Sequence, residues 1–272
     1  MQSMPVAVRG TGVTLVYGDR VAFRASDVII PAGAITAVIG PNGSGKSTLL
    51  NAIAGLALLA DGTLEVLGTD PVGARSRTSY VLQATKLNER LPVTVREVVM
   101  MSRYVELGSF GFIRKSDRAV VDEALERLDV GRLATRHLGE LSGGERQRVF
   151  VAQGLAQQAD LLLLDEPLNA LDIVSKDLIV EAVNEEKRRG RTIVATTHDL
   201  GEAAKADHVV LLSGGVVAEG SPRETLTSAF LAKAYGIEIV EDESGAPILD
   251  DSAHFPVDER HQHFDRTGHA DH

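Results

Sequence analysis

The chain has 272 residues, with 28 Lys and Arg against 38 Asp and Glu, and neither Cys nor Trp. With 44% apolar residues it can bury enough surface to fold as one large or two small domains, which excludes disorder throughout. The missing Cys removes disulfides, Cys-zinc sites and thiol nucleophiles together. A net charge of -10 argues against a nucleic-acid partner, which needs a basic face to displace counterions from phosphates. No apolar run reaches the roughly 18 residues of a spanning helix. The first ten residues also lack the apolar stretch of a signal peptide, so a cytoplasmic chain is expected.

In chain order, residues 11–30 and 62–83 carry the pattern of an antiparallel β region. Between them, residues 34–39 form an apolar strand that runs into G-P-N-G-S-G-K-S-T, which is Gly40, Pro41, Asn42, Gly43, Ser44, Gly45, Lys46, Ser47 and Thr48. The apolar helix L-L-N-A-I-A-G follows, which completes the context of a phosphate-binding loop. The glycines let backbone N–H groups turn toward phosphate oxygens, and the helix N-terminus adds positive potential. Lys46 can then bridge the β and γ phosphates of a nucleotide, and Ser47 can ligate magnesium. A plain Gly-rich turn is the alternative, although a chance match in a chain of this composition is on the order of 1%.

From Gln83 to Leu141 the pattern turns helical, over residues 95–103 after T-V-R-E and over 116–128, where Ser116 can cap. This block has no obvious strand and reads as a small helical subdomain, spanning about 84–155 and inserted into an α/β core. Its last helix opens with L-S-G-G-E-R-Q, so Ser142, Gly143 and Gly144 sit at a helix start suited to an anion. Leu161–Leu164 is a buried strand ending in D-E-P. Adjacent strand residues point opposite ways, so Asp165 can face magnesium while Glu166 accepts a hydrogen bond from an attacking water. A third strand over 192–196 ends in T-T-H-D. Residues 241–272 hold nine acids against two bases and five of the eight histidines, and are expected to be a disordered extension.

Taken together, G-P-N-G-S-G-K-S-T, L-S-G-G-E-R-Q and L-L-L-L-D-E-P resemble the motifs of ABC transporter ATP-binding subunits, over residues 6 to about 235. The resemblance implies a RecA-like α/β P-loop ATPase core with an antiparallel β region and an inserted α-helical subdomain. Residues 1–240 would be the ATPase domain. It implies a head-to-tail homodimer with ATP and Mg2+ sandwiched between the P-loop of one subunit and the signature of the other. Ser142, Gly143 and Gly144 would contact the γ phosphate held by the partner. Four further positions match the family pattern. Tyr17 resembles the aromatic that stacks on adenine, although an ordinary strand tyrosine would also fit. Gln83 resembles the Q-loop residue that reaches magnesium and the water. Asp172 resembles the D-loop acid that crosses the interface, with Asn169 where Ser is common. His198 resembles the switch histidine that hydrogen-bonds the γ phosphate.

A transport ATPase without spanning helices needs a membrane permease, docked on the helical subdomain at the cytoplasmic face of the membrane, and indirectly an extracytoplasmic metal-binding protein. Residues 91–104 and the segment E-A-A-K-A-D-H-V-V-L-L, with His208, are similar to ATPases of the zinc and manganese importer group, zinc being preferred. Siderophore importers share part of this pattern. In the tail, His254, His261, His263, His269 and His272 lie among carboxylates, a donor set suited to weak or regulatory zinc binding. The other readings are a soluble ABC ATPase that remodels a cytoplasmic partner, and a metal buffer centred on the tail.

Overall fold

The computed structural model describes residues 5–17, 20–82, 92–104, 112–236, 239–241 and 247–249. In chain order the strands are β1 (Val6–Tyr17), β2 (Arg20–Pro31), β3 (Ile35–Ile39), β4 (Leu59–Val66), β5 (Thr78–Val81), β6 (Leu161–Leu164), β7 (Thr192–Thr197), β8 (His208–Leu212) and β9 (Val216–Gly220). The main helices are α1 (Lys46–Ile53), α2 (Val95–Met101), α3 (Lys115–Arg127), α4 (Gly143–Ala156), α5 (Ile173–Arg188) and the short α6 (Leu200–Ala203).

The leucine run of β6 explains the layering. All four residues are buried, and period-two alternation sends them to opposite faces of the sheet. Leu161 and Leu163 join Leu49, Leu50 and Ile53 of α1 and Phe23 of β2. Leu162 and Leu164 join Val98, Leu125, Val149 and Ile179 of α2, α3, α4 and α5. The sheet order is β5-β6-β7-β3-β8-β9, with the first five strands parallel and β9 antiparallel to β8. A second, antiparallel sheet of order β2-β1-β4 packs over α1.

Three local expectations change. Residues 78–81, assigned to the antiparallel region, instead form β5, the parallel edge of the main sheet, with Thr78 opposite Leu161 and Val81 opposite Leu164. So short an apolar run does not encode which strand it will pair with. Ser116 lies inside α3, whose N-cap is Arg114, two residues earlier, with Asp117 Oδ2 accepting the Arg114 N–H at 2.8 Å. The stretch from residue 241 is not all without regular structure, because Ile239–Glu241 pairs antiparallel with Pro247–Leu249. Ile239 pairs with Leu249 and Val240 with Ile248, and β-branched residues such as Ile and Val favour strands. The tail histidines lie outside the described residues.

Helix α4 carries the L-S-G-G-E-R-Q segment, and a glycine sets its distance from the sheet. A Cβ at Gly154 would run into Val81 Cγ2 on β5 and stand 3.3 Å from Leu162 Cδ1 on β6. On the helical side, Arg103 pairs with Asp117 at 3.2 Å and donates to the Ala156 carbonyl at 2.8 Å, with both side chains buried. Gly154→Val should therefore overpack the α4–sheet contact and cost about 1–3 kcal/mol. The check is urea unfolding, with a lower midpoint at unchanged slope as the expected result.

Candidate functional site

Strands β6, β7 and β3 are parallel neighbours, so the loops leaving their C-terminal ends open at one rim of the sheet. The G-P-N-G-S-G-K-S-T loop leaves β3, Asp165 and Glu166 leave β6, and His198 leaves β7. Pairing of Leu164 with Ala195 continues the register to place Asp165 beside Thr196.

The loop is shaped by glycines that no other residue replaces. Gly40 and Gly45 both adopt positive φ, 156° and 101°. A Cβ on Gly40 would strike the Leu212 carbonyl, and one on Gly45 would come within 2.8 Å of the Ala22 carbonyl. Gly45 starts α1 without a side-chain cap, leaving the first-turn N–H groups of that helix facing the loop. Lys46 is buried and donates to the carbonyls of Gly40 at 2.8 Å and Pro41 at 3.2 Å. Burial pushes its ammonium below the usual lysine range, against the opposing charges of Glu166 and Asp165. A cleft of about 420 Å3 is lined here by Val21, Asn42, Gly43, Lys46, Ser47 and Glu166 among others.

Asp165 is 2% exposed, and its Oδ1 accepts from Ser47 Oγ at 3.1 Å and from Thr196 Oγ1 at 2.9 Å. These hydroxyl donors satisfy a buried carboxylate that would otherwise be costly. Thr196 also accepts the Glu166 N–H, at 2.8 Å, so one buried hydroxyl holds both acidic residues. The two carboxylates are parted less by strand alternation, as expected from the sequence, than by a backbone turn. β6 ends at Leu164, and Glu166 takes φ 49°, a left-handed conformation uncommon outside glycine. Glu166 thereby faces both the cleft and a second polar cavity of about 80 Å3, which it shares with Asn169, Lys176, Thr197, His198 and Glu202. Tyr80, on the neighbouring β5, has a buried hydroxyl without a hydrogen-bond partner among the described residues, and burial together with the Asp165 charge pushes its phenol up.

The L-S-G-G-E-R-Q residues are elsewhere. Ser142 caps α4 in a reciprocal box, its Oγ accepting the Glu145 N–H at 3.3 Å while Glu145 Oε2 accepts the Ser142 N–H at 3.0 Å. Those bonds hold the Glu145 carboxyl below the usual range. A Cβ on Gly143 would meet open space, whereas one on Gly144 would stand 3.1 Å from Asp172 Oδ2. None of residues 142–144 lines the cleft of the loop at 40–48. Asp172 caps α5, accepting from Ser175 N at 2.9 Å and Ser175 Oγ at 2.8 Å, which holds its carboxyl below the usual range. Tyr17 ends β1 opposite Arg20, one pair beyond Val16 and the cleft residue Val21. Gln83 lies outside the described residues.

Residues 23–169 match the ABC transporter family. The chain belongs to that family. It is 41% identical over 231 residues to the zinc transport system ATP-binding protein TroB of Treponema pallidum, covering 85% of this chain and 87% of that one. It is 36% identical over 229 residues to the manganese transport system ATP-binding protein MntA of Synechocystis, covering 83% and 88%. Among solved structures, an ABC transporter of metal-chelate type in an inward-facing conformation superposes with a TM-score of 0.75. The identity there is 27%, with 90% of this chain and 98% of that one covered.

This ABC cassette is an ATPase. Two polar contacts at its rim went unread in the sequence. Thr196 looked like one more strand residue, and only the β6–β7 register makes its hydroxyl the shared partner of Asp165 and Glu166. Asn169 was noted only as a departure from Ser, yet its Nδ2 donates to Glu166 Oε2 at 3.0 Å. His208 begins β8, opposite Thr36 of β3, and is absent from the lining of both cavities at the rim.

Thr196→Val keeps the side-chain shape and deletes both hydroxyl contacts. With one buried hydrogen bond worth about 1 kcal/mol and one to a charged group about 1.5–3, ATP turnover should fall roughly tenfold or more. Steady-state hydrolysis beside an unchanged far-UV CD spectrum is the measurement. Wild-type turnover would show that the shared hydroxyl is dispensable.

Proposed function

We propose that the cassette is the ATP-hydrolysing motor of a metal importer, with zinc as its cargo, working at the cytoplasmic face of a membrane permease. The observation that carries the motor reading is the convergence of Lys46, Ser47, Asp165, Glu166 and His198 on one sheet rim while Ser142, Gly143 and Gly144 stand outside that cleft. A site missing its signature half is completed by a second copy, head to tail, so each ATP lies between the P-loop of one subunit and residues 142–144 of the other. The cargo reading rests on similarity to zinc and manganese transport ATPases.

In this reading the loop N–H groups of residues 40–48 and Lys46 grip the β and γ phosphates, and His198 donates to a γ-phosphate oxygen. Tyr17 stacks on adenine, and Asp172 crosses the dimer interface. Glu166 orients a water and takes its proton as the water oxygen bonds to the γ phosphorus and the bond to the ADP oxygen breaks, releasing ADP and phosphate. The oxygen-only set of Ser47 and Asp165, already 3.1 Å apart, fits Mg2+, and these two with Gln83 would hold it. When bound, that ion neutralises charge on the β and γ phosphate oxygens. Residues 1–240 form the ATPase domain, and its helical subdomain, about 84–155, receives the permease. Closure of the dimer then pulls on the docked permease, and hydrolysis reopens it. Among the described residues no helix is long and apolar enough to cross a membrane.

Glu166→Gln should keep ATP binding, lose most hydrolysis and trap a nucleotide-dependent dimer, read by size-exclusion chromatography with and without ATP. A Gln variant with wild-type turnover would overturn the role of Glu166. The composite site is tested by mixing. Lys46→Ala and Ser142→Arg chains should each be inactive, and a mixture should regain hydrolysis because mixed dimers hold one intact site. The cargo is tested by cellular zinc, manganese and iron in a deletion strain carrying wild-type or Glu166→Gln protein under metal limitation. A selective loss of zinc is expected, and a loss of manganese or iron would keep the motor and change its cargo.

A further inference from the structure

We infer that Asn169 is a positioning residue for Glu166, fixing which carboxylate oxygen faces the attacking water. The inference rests on the water-activating role of Glu166 proposed above. Glu166 and Asn169 close a four-residue turn through the Asn169 N–H, which donates to the Glu166 carbonyl at 3.3 Å. Pro167 occupies the second position of that turn, where its fixed φ pre-organises the chain. The same turn brings Asn169 Nδ2 within 3.0 Å of Glu166 Oε2. A carboxylate only accepts hydrogen bonds, so the Asn169 amide must present its NH2 group to it.

This second contact reaches a part of Glu166 that Thr196 leaves loose. Thr196 holds the backbone of Glu166 through its N–H, on the strand side, whereas Asn169 holds the far end of the side chain. Between these points lie the rotatable bonds of a glutamate whose φ of 49° already costs conformational energy. The amide orients the carboxylate through Oε2, and Glu166 lines both the phosphate cleft and the cavity containing His198. Asn169 itself is exposed, so its substitution leaves the core untouched.

The test uses the full-length chain at saturating MgATP, with kcat and KM measured for Asn169→Ala, Asn169→Ser and Asn169→Asp. Loss of a hydrogen bond to a charged group predicts a kcat for Asn169→Ala roughly ten- to a hundredfold below wild type. KM should stay within about twofold, because the phosphate-gripping residues are unchanged. Asn169→Ser, which retains a donor, should recover part of the loss. Asn169→Asp keeps the shape of the side chain but sets a second anion against Glu166, so it should fall below Asn169→Ala. A packing role would give the opposite order, and Asn169→Asp at or above Asn169→Ala overturns the inference. Combining Asn169→Ala with Glu166→Gln should lower turnover no further than Glu166→Gln alone, since the amide acts through the carboxylate. Independent, multiplying losses overturn it as well. Low turnover in Glu166→Gln beside wild-type turnover in Asn169→Ala removes the positioning role alone. Wild-type turnover in Glu166→Gln removes the underlying role of Glu166 and this inference with it.

Discussion

A buried carboxylate with two hydroxyl partners governs the rim of this ATPase. Asp165 ends a strand of four buried leucines, where an ionised side chain is tolerated only if its lone pairs are matched. Ser47, at the start of α1, and Thr196, near the end of β7, supply that match. Three segments far apart in sequence are thereby tied at one point: the phosphate loop after β3, the acidic turn after β6 and the histidine turn after β7. The parallel order β6-β7-β3 makes the meeting possible, because it delivers all three chain exits to the same edge.

The same constraint shows up as local strain. The backbone of Glu166 departs from strand geometry into the left-handed region, and the Thr196 hydroxyl holds it there through the Glu166 N–H. Gly40 and Gly45 serve the loop in a related way, with carbonyls of Leu212 and Ala22 closing the space that a Cβ would need. Such positions are tolerated where surrounding contacts over-determine the backbone, and here they lie at the phosphate cleft. The helical segments obey a different economy. Ordinary capping boxes at Thr94 and Ser142, a buried Arg103–Asp117 pair and the close approach at Gly154 hold them to the sheet.

Within one chain the cleft at Lys46 and the helix start at Ser142 lie apart. The helix start at Ser142 is a complete cap on its own, with its hydroxyl already shared with Glu145, and Gly143 faces open space. Gly144 packs instead near Asp172 and Ser175 at the start of α5, so the signature and the segment after the acidic turn form one continuous surface. A helix start with glycines is suited to an anion.

Much of this was legible in the amino-acid order because the motifs are local. A phosphate loop is a strand, a run of glycines and a helix in sequence, and a leucine run ending in Asp-Glu marks its own buried strand and its own exit. Local patterns also announced the helix starting near Val95 and, in addition to β6, the central strands β3 and β7. What the tertiary structure decided are matters of pairing. Residues 78–81 join a parallel sheet rather than an antiparallel one because partner choice depends on strands some eighty residues away. Thr196 and Asn169 become polar partners of Asp165 and Glu166 only through the β6–β7 register and through the turn at Pro167. The sequence by itself determined which groups could meet phosphate, because spacing along one strand–loop–helix unit sets their local geometry. Which side chains orient them was left to the fold, because a hydrogen bond between distant strands has no period that a linear chain can display.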